Sequence, residues 1–102
     1  MPIVLVATIV PLAEHRGEVI AALRAAIEQV HGEQGCELYA LHEAPDRLVM
    51  VEKWATGDAL AMHRKGAALA ALGSSLAGKV AGAPEVVVLQ PVPAGDQAKG
   101  EL

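Results

Sequence analysis

Leu48-Val49-Met50-Val51-Glu52-Lys53-Trp54-Ala55-Thr56-Gly57-Asp58-Ala59-Leu60-Ala61-Met62-His63 decides how this chain folds. It begins as a strand, turns at Ala55 and Thr56, and continues as a helix. Side chains alternate across a strand, so Leu48, Met50, Glu52 and Trp54 share one side. Thr56 or Asp58 supplies the oxygen that caps the helix. On that helix His63 stands three residues after Leu60 and four before Ala67, which sets its imidazole on the apolar face. A carboxylate, the chain's single indole and an imidazole are thereby directed to one end of the fold.

The flanking elements follow the same logic. Ile3 to Val10 is short, apolar and rich in β-branched residues, which makes it the first strand. From Glu14 to His31, Val19, Ile20, Leu23, Ile27 and Val30 recur at three and four residues and mark one helix stripe. Glu33-Gln34-Gly35 ends this helix, and Gly35 supplies the left-handed conformation that such ends often take. Cys36 to Glu43 is the second strand, and Ala44-Pro45-Asp46-Arg47 turns it into the third, Leu48 to Trp54. The second helix breaks near Gly66 and runs on to about Val80. Gly82-Ala83-Pro84 separates it from a fourth strand, Glu85 to Gln90. The order β-α-β-β-α-β is the α+β, ferredoxin-like plan with both helices on one sheet face. Residues 1–92 form one domain, and residues 93–102, rich in Pro, Gly and charge, are expected to be a flexible tail.

The first strand is apolar at nearly every position, and Val86, Val87, Val88 and Leu89 repeat the pattern in the fourth. Helices cover only one side of such a sheet, and an exposed antiparallel face normally carries polar residues. The other face therefore calls for a second apolar surface, and a homodimer packed sheet to sheet is the simplest supply.

Composition removes several functions. Of 102 residues, 53% are hydrophobic, the net charge is -4, and Lys plus Arg number only 8. With one adjacent basic pair, one Trp and one Tyr, nothing favours nucleic acid. The first strand is too short to span a membrane and lacks the basic start of a signal peptide. The single cysteine, Cys36, makes no internal disulfide, which fits a reducing cytoplasmic setting. Histidine and cysteine spacings give no zinc pattern, and no glycine-rich phosphate loop occurs.

Three stretches carry a family resemblance: Glu33-Gln34-Gly35-Cys36-Glu37-Leu38-Tyr39-Ala40-Leu41-His42, then Glu52-Lys53-Trp54, then Ala59-Leu60 with His63. As an ordered set, E-x-G-C-x-x-Y-x-L-H, E-x-W and A-L-x-x-H, they resemble the antibiotic biosynthesis monooxygenase family from about Pro2 to Val92. The resemblance implies a dimeric α+β barrel. It also implies a choice of activities: oxidation of quinols and polycyclic phenols by molecular oxygen without flavin or metal, haem degradation, or none. Haem-degrading members carry an asparagine on the first strand near Ala7-Thr8, and this chain contains no Asn. Many quinol-oxidising relatives carry a second histidine where this chain has Ala68.

These observations lead to a quinol-type monooxygenase with no cofactor and no metal, acting on a small aromatic substrate with molecular oxygen. A non-catalytic dimeric module that binds an apolar small molecule is the alternative. His63 is the candidate base, since an imidazole exchanges protons near neutral pH. Trp54 is the candidate ring wall and Glu52 a secondary polar group. His42, Tyr39, Met50 and Leu60 are candidate substrate contacts. Each has a plainer use: a satisfied core histidine, ordinary indole packing, a carboxylate bonded to nearby backbone, and interface packing for Tyr39. His42 lies on the opposite parity from Tyr39, so it lines the cavity or points to the dimer face.

Overall fold

The computed structural model describes residues 2–102. Strands β1 (Ile3–Ile9), β2 (Cys36–Ala44), β3 (Arg47–Trp54) and β4 (Glu85–Leu89) form one antiparallel sheet in the order β2-β3-β1-β4. Helix α1 (Arg16–Val30) joins β1 to β2, entered through a 3-10 turn at Ala13–His15. Helices α2 (Gly57–Arg64) and α3 (Ala67–Leu76) join β3 to β4. This is the ferredoxin-like α+β plan.

Burial along β3 alternates as parity requires: Leu48, Met50, Glu52 and Trp54 are buried and the residues between them less so. The pairings Leu5 with Glu52 and Ala7 with Met50 put the matching face of β1 beside them. Leu5, Ala7, Ile9, Leu48, Met50 and Trp54 meet Val19, Leu23 and Val30 of α1 and Leu72 and Leu76 of α3 in one core. A fully buried aliphatic side chain of this kind contributes roughly 1.5–3 kcal/mol. The opposite face carries Val4, Val6, Val49, Val51, Val87 and Leu89, the last two 47% and 42% exposed.

Local chemistry sets the element ends. Thr56 Oγ1 accepts from the Ala59 amide at 3.1 Å and caps α2. Gly35 has φ of 81°. A Cβ there would run into the Ala59 methyl, so the turn after α1 and the start of α2 sit together only because Gly35 has no side chain.

The second helix is shorter than its apolar pattern suggests. It stops at Leu76, Ala77 leaves the helical region, and Gly78 turns with φ of 75°. Val80 instead pairs with Pro11 in an isolated bridge, flanked by bonds from Leu12 N to Lys79 O and from Ala81 N to Val10 O. Those bonds to the end of β1 outweigh the helical propensity of the segment. Strands β1 and β4 each end one residue earlier than the sequence reading places them. After β4 the chain closes one turn, in which Lys99 N and Gly100 N both donate to Asp96 O.

Candidate functional site

A cavity of about 450 Å³ lies between the sheet and the α2–α3 pair. Leu5, Ala7 and Met50 form its floor, and Leu60, Leu69 and Leu72 close it from the helix side. Its polar lining comes from Tyr39 on β2, Glu52 on β3, and His63 and Arg64 at the end of α2. Apolar walls with a few placed polar groups are the usual form of a small-molecule site.

His63 is 4% exposed, and one of its two ring nitrogens is hydrogen-bonded. Its Nδ1 lies 2.7 Å from Glu33 Oε1, in the turn after α1. A carboxylate oxygen accepts, so Nδ1 carries the proton and donates. Nε2 then turns toward Glu52, whose Oε1 is 3.9 Å away, beyond hydrogen-bond reach. That same Oε1 already accepts from Trp54 Nε1 at 2.9 Å.

Burial pushes the Glu52 carboxyl above its ordinary range, opposed first by the indole N–H and then by His63 and Arg64. Burial, with the nearby charges of Glu52 and Glu33, drives the Tyr39 phenol well above its usual value. Tyr39 thus stays protonated and can donate its hydroxyl.

The structure brings His63, Glu52, Tyr39, Met50 and Leu60 together around the cavity. Trp54 is fully buried and does not line it. Its ring packs against the His63 imidazole with centroids 4.5 Å apart and planes 31° apart. Tyr39 meets both rings edge-on, at 5.4 Å from His63 and 6.4 Å from Trp54. Trp54 therefore supports the imidazole and the Glu52 carboxylate, and is not a wall for a guest. His42 is not at the cavity either. Its residue pairs with Val49 on the other sheet face, and its Nδ1 is 3.2 Å from the Ala40 carbonyl.

Two residues of the site escape the sequence reading, which treats Glu33 only as the end of the first helix and gives Arg64 no part. Glu33 does head the E-x-G-C stretch, and that is the signal that could have pointed to it. Among the described residues, no three His, Cys, Asp or Glu side chains converge as metal ligands, and no helix is long and apolar enough to cross a membrane.

Sheet and helices together define a ferredoxin-like α+β domain with an apolar cavity on its helix side. The family model for antibiotic biosynthesis monooxygenase matches residues 2–73, and the chain belongs to that family. Among solved structures, Rv0793 of Mycobacterium tuberculosis is similar at 26% identity and a TM-score of 0.85, over 94% of this chain and 100% of that one. A Caulobacter crescentus protein, provisionally assigned as an antibiotic biosynthesis monooxygenase, is 26% identical with a TM-score of 0.83, over 89% of this chain and 90% of its own. A conserved Methanosarcina mazei protein, 22% identical with a TM-score of 0.82 over 88% and 92% of the two chains, shares the fold. No curated protein matches the sequence.

The Glu52 contacts set a pH signature. The folded state raises the Glu52 pKa, so between its unfolded and folded values the native protein binds more protons than the unfolded chain, and stability falls as pH rises through that window. Trp54→Phe removes the donor that favours the ionised form and moves the folded value higher still. Urea unfolding followed by circular dichroism should show the variant losing about 1–3 kcal/mol above the window from the orphaned carboxylate, beyond a pH-independent packing loss. An equal loss at every pH contradicts this.

Proposed function

We propose that this protein is a cofactor-independent monooxygenase that oxidises a quinol or similar phenolic aromatic with molecular oxygen, and that it works as a homodimer. The observation that carries the reading is the His63 imidazole on the wall of an apolar cavity, with Nδ1 fixed by Glu33 and Nε2 free of any hydrogen bond.

Nε2 takes the proton of a bound phenolic hydroxyl. The resulting phenolate is electron-rich enough to reduce oxygen by one electron, and the radical pair joins at a ring carbon. Cleavage of the O–O bond leaves one oxygen on the ring and sends the other out as water. A dihydroxyarene supplies all four electrons: quinol plus O₂ yields hydroxyquinone plus H₂O. The protein's part is to hold the ring, take and return a proton, and exclude water. Tyr39 can donate to the oxygen that becomes a quinone carbonyl. Leu5, Met50 and Leu72 offer flat apolar contact.

A second reading rests on Ala68, buried on α3 where many quinol-oxidising relatives carry a further histidine. With that group missing, the cavity can serve a non-catalytic module that binds the same apolar guests.

The homodimer is supported by the outer sheet face, where Val4, Val6, Val49, Val51, Val87 and Leu89 form an apolar patch bordered by Thr8, Lys53 and Glu85. Sedimentation should give twice the chain mass for the wild type and the monomer mass for Val87→Glu. A monomeric wild type contradicts the dimer.

Oxygen uptake with menadiol, corrected for autoxidation, tests the chemistry. His63→Ala should lower kcat by about 10²-fold or more, the usual loss for a general base. Equal rates would take His63 out of the mechanism. A thermal shift with menadione but no oxygen uptake by the wild type would favour the binding module.

A further inference from the structure

The His63 imidazole separates two compartments. His63 lines the apolar cavity, whereas Glu33 does not touch that cavity and lines a surface recess with Gly35, Ala59, Met62 and Gly66. The two side chains differ in exposure accordingly, 4% for His63 and 24% for Glu33. A base that takes a proton inside an apolar pocket becomes a buried cation, and that is costly without a partner charge. The groups that face the ring are Glu33 from the turn after α1, Glu52 and Trp54 from β3, and Tyr39 from β2, with Arg64 adjoining on α2 itself. Tyr39 and Trp54 are neutral, and Arg64 has the wrong sign. Glu52 is bound by the indole and too far from Nε2 for a hydrogen bond. Glu52, 3.9 Å from Nε2, shares in neutralising a cation at His63, but Glu33 is the carboxylate hydrogen-bonded to the ring and the more exposed of the two.

We infer that Glu33 is a positioning residue for the proton transfer: its carboxylate holds Nδ1–H so that Nε2 faces the cavity as the free base, and it neutralises the imidazolium formed when Nε2 takes a phenolic proton. This rests on the quinol-oxidising reading above and adds to it the residue that makes His63 a base. The arrangement follows the logic of an acid that orients and stabilises a catalytic histidine without touching substrate. Gly66 is part of it. A Cβ there would lie 3.3 Å from Glu33 Oε2 and 3.2 Å from the His63 carbonyl, so the absent side chain leaves the carboxylate its place.

The test uses 4-nitrophenol, whose phenolate is yellow and whose neutral form is not, buffered about one unit below the probe's own pKa. Wild type should bind it largely as phenolate. Glu33→Gln keeps the size of the side chain and an oxygen that can accept from Nδ1–H but removes the charge. It should bind the probe mostly as the neutral phenol, with the bound phenolate fraction lower by about tenfold. Glu33→Asp, which restores the charge, should recover part of the difference. In menadiol turnover the same Gln variant should lose kcat by about tenfold or more with KM within about twofold, since Glu33 does not touch the cavity. Equal phenolate fractions in wild type and Glu33→Gln would overturn the role of Glu33 while leaving the cavity a phenol site. A wild type that fails to bind 4-nitrophenol would instead sink the quinol reading, and the role of Glu33 with it. A raised KM with unchanged kcat would also overturn the role, because that pattern marks a substrate contact or a disturbed cavity.

Discussion

The 2.7 Å contact between His63 Nδ1 and Glu33 Oε1 joins parts of the chain 30 residues apart, and the geometry of the site depends on it. It ties the turn after α1 to the last turn of α2. A buried imidazole without that bond would have two ways to face and no reason to present Nε2 to the cavity. The contact is itself set up by small residues. Gly35, in the left-handed region, lets the turn close onto Ala59, and one helical turn later His63 arrives beside Glu33. Gly66 then leaves room for the second carboxylate oxygen.

Two carboxylates flank one imidazole, and their surroundings separate what they can do. Glu33 is partly hydrated and bonded to the ring. Glu52 is buried, disfavoured as an anion by that burial, and bonded to the indole of Trp54. The indole also packs on the imidazole face, so one residue restrains both groups. Had Glu52 bonded Nε2, both ring nitrogens would be engaged and nothing would be left to accept a substrate proton. The 3.9 Å separation avoids this.

Most of the fold can be read from local pattern. The β-branched run of β1, the alternation of β3 and the three-and-four spacing of α1 each reflect burial on one face, and burial is what those patterns record. Parity alone groups Glu52 with Leu48, Met50 and Trp54, but it leaves open which sheet face that group takes, as it does for His42. Other features depend on partners remote in sequence. The helix after Gly66 stops at Leu76 because the following segment bonds to the end of β1, which helical propensity does not register. Glu33 looks like an ordinary polar residue in a helix-ending turn until α2 is folded against it. Strand parity shows that Trp54 shares a face with Glu52. It does not show that His63 lines the cavity while the indole packed on it does not, because that depends on the path of the chain through Thr56 and α2.

The most direct measurement is the protonation of each His63 ring nitrogen in the ligand-free protein, by ¹⁵N-resolved NMR of selectively labelled histidine. The expected result is a proton on Nδ1 of the neutral ring, because a carboxylate oxygen faces that nitrogen. A His63 signal with the proton on Nε2 and a bare Nδ1 would contradict it.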